Sequence, residues 1–166
     1  MVKINYSLYT ERRLTERLLR YWREQSIGKP FPSEHDLEPD ELARDWDNCF
    51  LVQRRDIEHV EDYNYTYLGR NIVQAYLGRL HAEHNVFMIG PNARMIRASF
   101  KRVIITRAPV REEGELVTVS GQRVKYRQVM LPIGTPEGRL EAIFGGLCFH
   151  FFDPEPPVNG GDINLP

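Results

Sequence analysis

From Leu8 to about Gln25, apolar residues recur at three- and four-residue spacing: Leu14, Leu18, Tyr21 and Trp22. Leu19 widens the stripe, and Arg12, Arg13, Arg17, Arg20 and Arg23 take much of the remaining surface. That period predicts an amphipathic helix with a broad buried side, stopped by Gly28 and Pro30. Ser33 or Asp36 can cap a short helical turn running through Leu37 and Leu42, with Pro39 early in it. Beyond Trp46 the pattern shifts to alternation. Asn48–Arg54 and Asp62–Leu68 read as strands, with the polar stretch Asp56–Glu61 as the exposed connection. In the second strand Tyr63, Tyr65 and Tyr67 share one face, and Asn64 and Thr66 the other. Gly69 hands this strand to a short helix over Arg70–Leu77, with Gly78 as its stop. Residues 79–91 carry no clear period.

Asn92 is suited to cap a second amphipathic helix whose stripe is Ile96, Phe100, Val103 and Ile104, ringed by Arg94, Arg97, Lys101 and Arg102. Pro109 ends it. Val110–Ser120 and Arg123–Pro132 are strands joined near Gly121, a hairpin signal, and Pro132–Gly138 is a turn. Leu140–Phe152 is apolar on both sides: Ile143, Leu147, Phe149 and Phe151 alternate with Phe144, Cys148 and Phe152. A strand of that kind is covered above and below, so the sheet needs a second layer, for which the N-terminal helix is the obvious candidate. From Asp153 onward the Pro- and Gly-rich sequence cannot build a core. The expected organisation is a helical extension over 1–47, a domain over 48–152 and a tail over 153–166.

Two strands, a helical stretch and a three-stranded meander follow the chain order of a PAS domain. Arg20-Tyr-Trp-Arg23, Gly28-Lys-Pro-Phe-Pro-Ser33 and Tyr65-Thr-Tyr-Leu-Gly69 resemble a family of short bacterial PAS-type proteins, and Leu131-Pro132, Gly138 and Gly145-Gly-Leu-Cys-Phe149 extend the match across residues 14–152. Arg79-Leu-His-Ala-Glu-His departs from it, where the family has a glycine and acidic turn opening a helix. The resemblance implies an α+β fold: a five-stranded antiparallel sheet with helices on one face and the N-terminal amphipathic helix on the other. It also implies a cavity between sheet and helices. Its candidate lining is Tyr65, Tyr67, Tyr76, Met95, Phe100, Tyr126, Met130 and Phe144, which either contact a small, partly polar ligand or simply fill the core.

Charge adds one refinement. The net charge of -1 hides blocks: residues 1–29 hold seven Lys/Arg against three Glu, 34–62 hold eleven Asp/Glu against three Arg, and 90–111 hold six Lys/Arg and no acid. Such blocks are solvated faces, pair with one another in the fold, or meet an anionic partner. The basic stretch from Arg94 to Arg111 raises a nucleic-acid reading, which its interspersed Ile96, Phe100, Val103 and Ile104 oppose. A hydrophobic fraction of 42% and charged fraction of 27% are those of a globular protein. Neither a run long enough to span a bilayer nor a signal h-region is present, which points to the cytoplasm.

Candidate chemistry is sparse. His81, Glu83 and His84 have partial metal-ligand spacing without a completing set, and no haem motif accompanies them, so no metal is expected and the cofactor stays open. Cys49 and Cys148 fall in strands that neighbour each other in a PAS sheet and read as buried thiols rather than a redox pair. No cysteine lies between the second and third strands, which argues against a covalent flavin adduct. Nucleophile elbow, phosphate loop and HExxH are all missing. The expectation is a non-enzymatic sensor that binds a small ligand or a signalling-protein partner and forms a homodimer through Leu14, Leu18, Tyr21 and Trp22. The alternative from another class is a small enzyme using the same cavity, with Tyr65 and a carboxylate or His as acid and base. Arg102 and Arg127 could grip a carboxylate if either points inward.

Overall fold

A computed structural model describes residues 6–38, 40–54, 65–75, 93–117 and 122–152. Its elements are α1 (Tyr6–Gln25), 3-10 turns at Glu34–Asp36 and Trp46–Asn48, β1 (Cys49–Gln53), β2 (Tyr65–Leu68), α2 (Arg70–Ala75), α3 (Ala93–Thr106), β3 (Val110–Val117), β4 (Arg123–Gly134) and β5 (Leu140–Phe151). The strands form one antiparallel sheet in the order β2-β1-β5-β4-β3. The expected α+β architecture is therefore the observed one. The hairpin tip at Gly121, the Asn92 cap, residues 79–91 and the histidines at 81 and 84 lie outside the described residues.

β5 occupies the centre of the sheet, and its two-sided apolar pattern has the predicted cause. Ile143, Leu147, Phe149 and Phe151 belong to the cluster that includes Phe50, Ile72, Phe100 and Val103, on the side of α2 and α3. Ala142, Phe144 and Cys148 belong to the opposite cluster, with Leu14, Leu18 and Leu19 of α1. Gly145 and Gly146 make both contacts possible. A Cβ on Gly145 would stand 2.3 Å from the Phe50 ring, and one on Gly146 2.3 Å from Leu18 Cδ1. The absent side chains let one aromatic and one leucine descend onto the same strand from opposite faces.

β4 runs two residues beyond the expected end at Pro132, and the reason is the end of β3. The β3–β4 pairing stops at Val110↔Met130, while β4 stays paired with β5 through Gly134↔Leu140. The edge that β3 leaves is taken up by the segment after α1. Gly134 N–H donates to Pro32 C=O at 2.9 Å, and the Trp22 indole N–H donates to Pro132 C=O at 2.7 Å. A proline is tolerated there because no ladder bond is asked of its nitrogen.

Polar contacts hold α1 to the body besides its leucines and Trp22. Tyr21 Oη donates to Asp36 C=O at 2.6 Å and accepts from Glu38 N–H at 2.9 Å. Asp36 in turn accepts from Ser33 N–H, Ser33 Oγ and Lys29 Nζ at 2.6 to 2.7 Å. The Arg17 guanidinium forms a two-pronged pair with Asp45, a carboxylate only 7% exposed. The basic helix and the acidic block after it thus meet in the fold.

The Gly69 join is set by close approach. Gly69 N–H donates to Cys49 C=O at 2.8 Å, and a Cβ there would come within 2.3 Å of Asp47 C=O. The chain turns tightly against the Trp46–Asn48 turn, and α2 starts at once with Arg70 on Asp47 and Asn71 on Asn48.

Candidate functional site

β3 presents successive side chains to opposite faces of the sheet, and its neighbours divide accordingly. Glu112 is directly opposite Gln128 of β4. Its carboxylate accepts from Gln128 Nε2 at 2.8 Å, from Ser99 Oγ of α3, and from Arg102 Nη1 at 3.4 Å. Gln128 and Ser99 are 6% and 2% exposed, so a carboxylate, an amide and a hydroxyl meet between sheet and helix at the border of an apolar cluster. Buried polar groups of this kind stay hydrogen-bonded because losing a partner costs more than making the bond gains.

Tyr126 joins this group two residues along β4. Its ring crosses the strand at Gly114, where a Cβ would stand 2.8 Å from the phenol oxygen. Burial raises the phenol pKa above its ordinary value, and the Glu112 charge raises it further. The phenol therefore stays protonated, a hydrogen-bond donor beside a carboxylate acceptor. Together Glu112, Gln128, Ser99, Arg102 and Tyr126 offer both donors and an anion to whatever occupies this face.

Of the eight aromatic and Met positions expected to line one cavity, the five whose side chains are described are divided by the sheet. Phe100, Tyr126 and Met130 fall in the cluster on the α2–α3 side. Tyr67 and Phe144 fall in the cluster beneath α1, where Trp46 lies 4.5 Å from the Tyr67 ring and 6.2 Å from Phe144. Tyr67 Oη donates to Trp46 C=O at 3.1 Å. They are parted from the other three because β2 pairs Tyr67 with Leu51, and β5 places Phe144 opposite that same residue. A single pocket containing all five is therefore not what the fold builds. The backbone of Tyr65 pairs with Val52 across a bulge, and Met95 lies in the first turns of α3; their side chains, and Tyr76 altogether, lie outside the described residues.

The expected dimer contacts are also redirected. Leu14 and Leu18 are 3% and 0% exposed against the chain's own sheet, Tyr21 is bonded to the 36–38 segment, and Trp22 to β4. The stripe is consumed within the molecule because the two-sided β5 requires it. The sequence pattern identified an apolar helix face correctly but not what covers it. The arginines divide as well: Arg102 reaches Glu112 on the α3 side, whereas Arg127 pairs with Glu113 on the other at 3.1 Å. Glu112, Gln128 and Ser99 were not singled out from the sequence. The one available signal was their polar character inside otherwise apolar alternation.

Arg102, Arg107 and Arg111 of the basic stretch are tied down internally. Arg107 reaches Gly138 C=O and lies over the Phe31 ring, 5.1 Å from its centre. Arg111 pairs with Glu16 of α1, and Arg102 with Glu112. Cys49 and Cys148 are buried on adjacent strands and not joined in a disulfide, and burial pushes the Cys49 thiol pKa well up, which suits inert core thiols. Among the described residues no His, Cys, Asp and Glu group could hold a metal, and no helix is long and apolar enough to cross a membrane.

A family model described as a PAS domain matches residues 10–148, a span that takes in α1 from Thr10 onward. No curated protein sequence matches the chain. Among solved structures, the PAS domain of Bordetella pertussis BvgS is 19% identical over 60% of this chain and 72% of its own, with a TM-score of 0.38. The photo-excited blue-light photoreceptor Vivid is 15% identical over 60% of this chain and 76% of its own, with a TM-score of 0.33.

Proposed function

The chain belongs to the PAS domain family, whose members are generally sensory or regulatory rather than enzymatic, and from that premise we propose that it is a cytoplasmic sensor whose input is read by the Glu112 cluster. The observation that carries this reading is the polar set Glu112, Gln128, Ser99 and Arg102 at the sheet–α3 border. A small, partly polar ligand competes for these bonds and rests its apolar part against Phe100, Tyr126 and Met130. A polar ligand group that fails to replace them leaves buried groups unpaired, so the cluster selects by hydrogen-bond pattern.

The output follows from the adjacent residues of the same strand. Arg111 and Glu113 flank Glu112 and face the other side, where Arg111 meets Glu16 of α1 and Glu113 meets Arg127. A shift of β3 that re-pairs Glu112 must also re-set Arg111 against α1, so the ligand alters the relative stability of two arrangements of sheet and helix. A protein partner that prefers one of them receives the signal.

Native mass spectrometry and amide hydrogen exchange of the full chain and of Glu112→Gln test this together. The expected result is a retained or added small molecule whose occupancy drops in Glu112→Gln, with faster exchange in α1. Equal occupancy and an unchanged α1 in the variant would sink the reading. An enzyme using the same cavity has less support, because members of the family are generally sensory, and the side chain of Tyr65, its expected acid–base group, lies outside the described residues.

A further inference from the structure

A groove opens where β3 runs beside α1 on the α1 side of the sheet. α1 lies across β4 and β5 and leaves the outer face of β3 beside it. The resulting cleft has a volume of about 540 Å³, with Thr15 and Glu16 of α1 on one wall and Arg111, Glu112 and Glu113 of β3 with Arg127 and Gln128 of β4 on the other; Arg111, Glu113 and Arg127 are the side chains that face α1 there. That size is within the range of small-molecule sites. Thr15 is 5% exposed, so the groove has a firm polar floor and not only mobile surface chains.

Its charges are balanced and ordered. Glu113 is directly across the strands from Arg127, and Arg111 is across from Val129, which makes Arg111 and Arg127 diagonal neighbours roughly 7 Å apart. Two guanidinium groups at that spacing can both reach one carboxylate. Each stands next to an acid, Arg111 by Glu16 and Arg127 by Glu113. A simple anion placed here would gain two arginines and face two carboxylates; a simple cation meets the reverse. An apolar ligand would strip water from four charges and return nothing. A molecule carrying both signs a few bonds apart enters both pairs at once.

We infer that this groove is a second ligand site and that it takes a small zwitterion, an α-amino acid or short free peptide, with its carboxylate on Arg111 and Arg127 and its ammonium on Glu16 and Glu113. The polar walls favour small or polar side chains. Occupancy would exchange the Arg111–Glu16 bridge between β3 and α1 for bonds through the ligand, so the site acts on the contact between sheet and N-terminal helix directly.

The test is an amide NMR titration of the full chain with trialanine, N-acetyl-trialanine and trialanine amide. Trialanine should move the amides of Thr15, Glu16, Arg111 and Arg127, and each blocked peptide should bind roughly tenfold or more weakly, because each lacks one charged partner. Arg127→Gln and Glu113→Gln, both on an exposed part of the strand pair, should weaken trialanine by a similar factor while leaving the thermal midpoint of the chain near that of the parent. The inference is overturned if those amides stay still at tens of millimolar peptide, or if the blocked peptides bind as well as the free one. It is equally overturned if the shifts gather at Ser99, Phe100 and Tyr126 while Thr15 and Glu16 stay still, which would place the peptide on the other face.

Discussion

Asp36 shows how much a single carboxylate can organise. It accepts from Lys29 Nζ, Ser33 Oγ and Ser33 N–H, and these partners, Lys29 foremost, lower its pKa to about 2 from an ordinary 3.8. A depressed carboxylate pKa stabilises the fold above the unfolded value, and that contribution is lost as pH falls from near 3.8 through about 2. Discounted for its contact with water, the contribution is about 1 kcal/mol. Asp36→Asn should therefore be less stable than the parent at neutral pH in urea unfolding, with the difference closing in acid; a difference that persists at low pH would mean the carboxylate's charge is not its source. Gly69 is the stricter residue. A Cβ there meets backbone at 2.3 Å, and backbone cannot swing aside as a side chain can, so Gly69→Ala should cost about 2–4 kcal/mol. An unchanged urea midpoint would contradict the close approach. Of these two residues, the sequence marked Gly69 as a join and Asp36 as a cap, because turn and cap chemistry is local. It did not mark Glu112, whose role depends on Ser99 and Gln128 arriving from elsewhere in the chain.

At the scale of elements, α1 is the case where pattern and outcome separate. Its period predicts the helix and its apolar stripe, and both are present over Tyr6–Gln25. A stripe alone does not say whether its cover is the same chain or another, and here Leu18 is fully buried on Gly146 of β5. Leu18→Asp should consequently unfold the chain or cost about 3–5 kcal/mol rather than divide a folded dimer into folded monomers. Light scattering with circular dichroism distinguishes the two: a halved mass with an intact spectrum would restore the dimer reading. Trp22→Phe probes the same docking more gently. It keeps a six-membered aromatic ring but removes the pyrrole ring and with it the N–H bonded to Pro132 C=O, at a cost of about 1–3 kcal/mol in urea unfolding. The strands were legible to within a few residues at their described ends because alternation is a local signal. The extension of β4 to Gly134 was not, since it depends on where β3 stops and on Pro32 and Trp22 completing the edge.

For the whole molecule, the segregated charges find their meaning inside the fold. Arg17–Asp45 and Lys29–Asp36 join the first basic block to the acidic one, while Arg111–Glu16 and Arg102–Glu112 fasten α1 and α3 to the sheet. The sequence by itself determined the local periods: an amphipathic N-terminal helix, alternating strands, a second basic helix and a final strand apolar on both sides. Those periods, with the ordered Trp, Pro and Gly motifs, were enough to reach an α+β sheet covered on both faces and to suggest the PAS family. Tertiary structure alone decided which side each residue serves. It sent Tyr67 and Phe144 beneath α1, kept Phe100, Tyr126 and Met130 near α3, and assembled the Glu112 cluster and the Arg111–Arg127 groove from separate elements. The physical reason is that helix and strand periods depend on neighbours a few positions away, whereas the choice of face follows register, bulges and the order in which strands pair, all set by contacts between residues far apart in the chain.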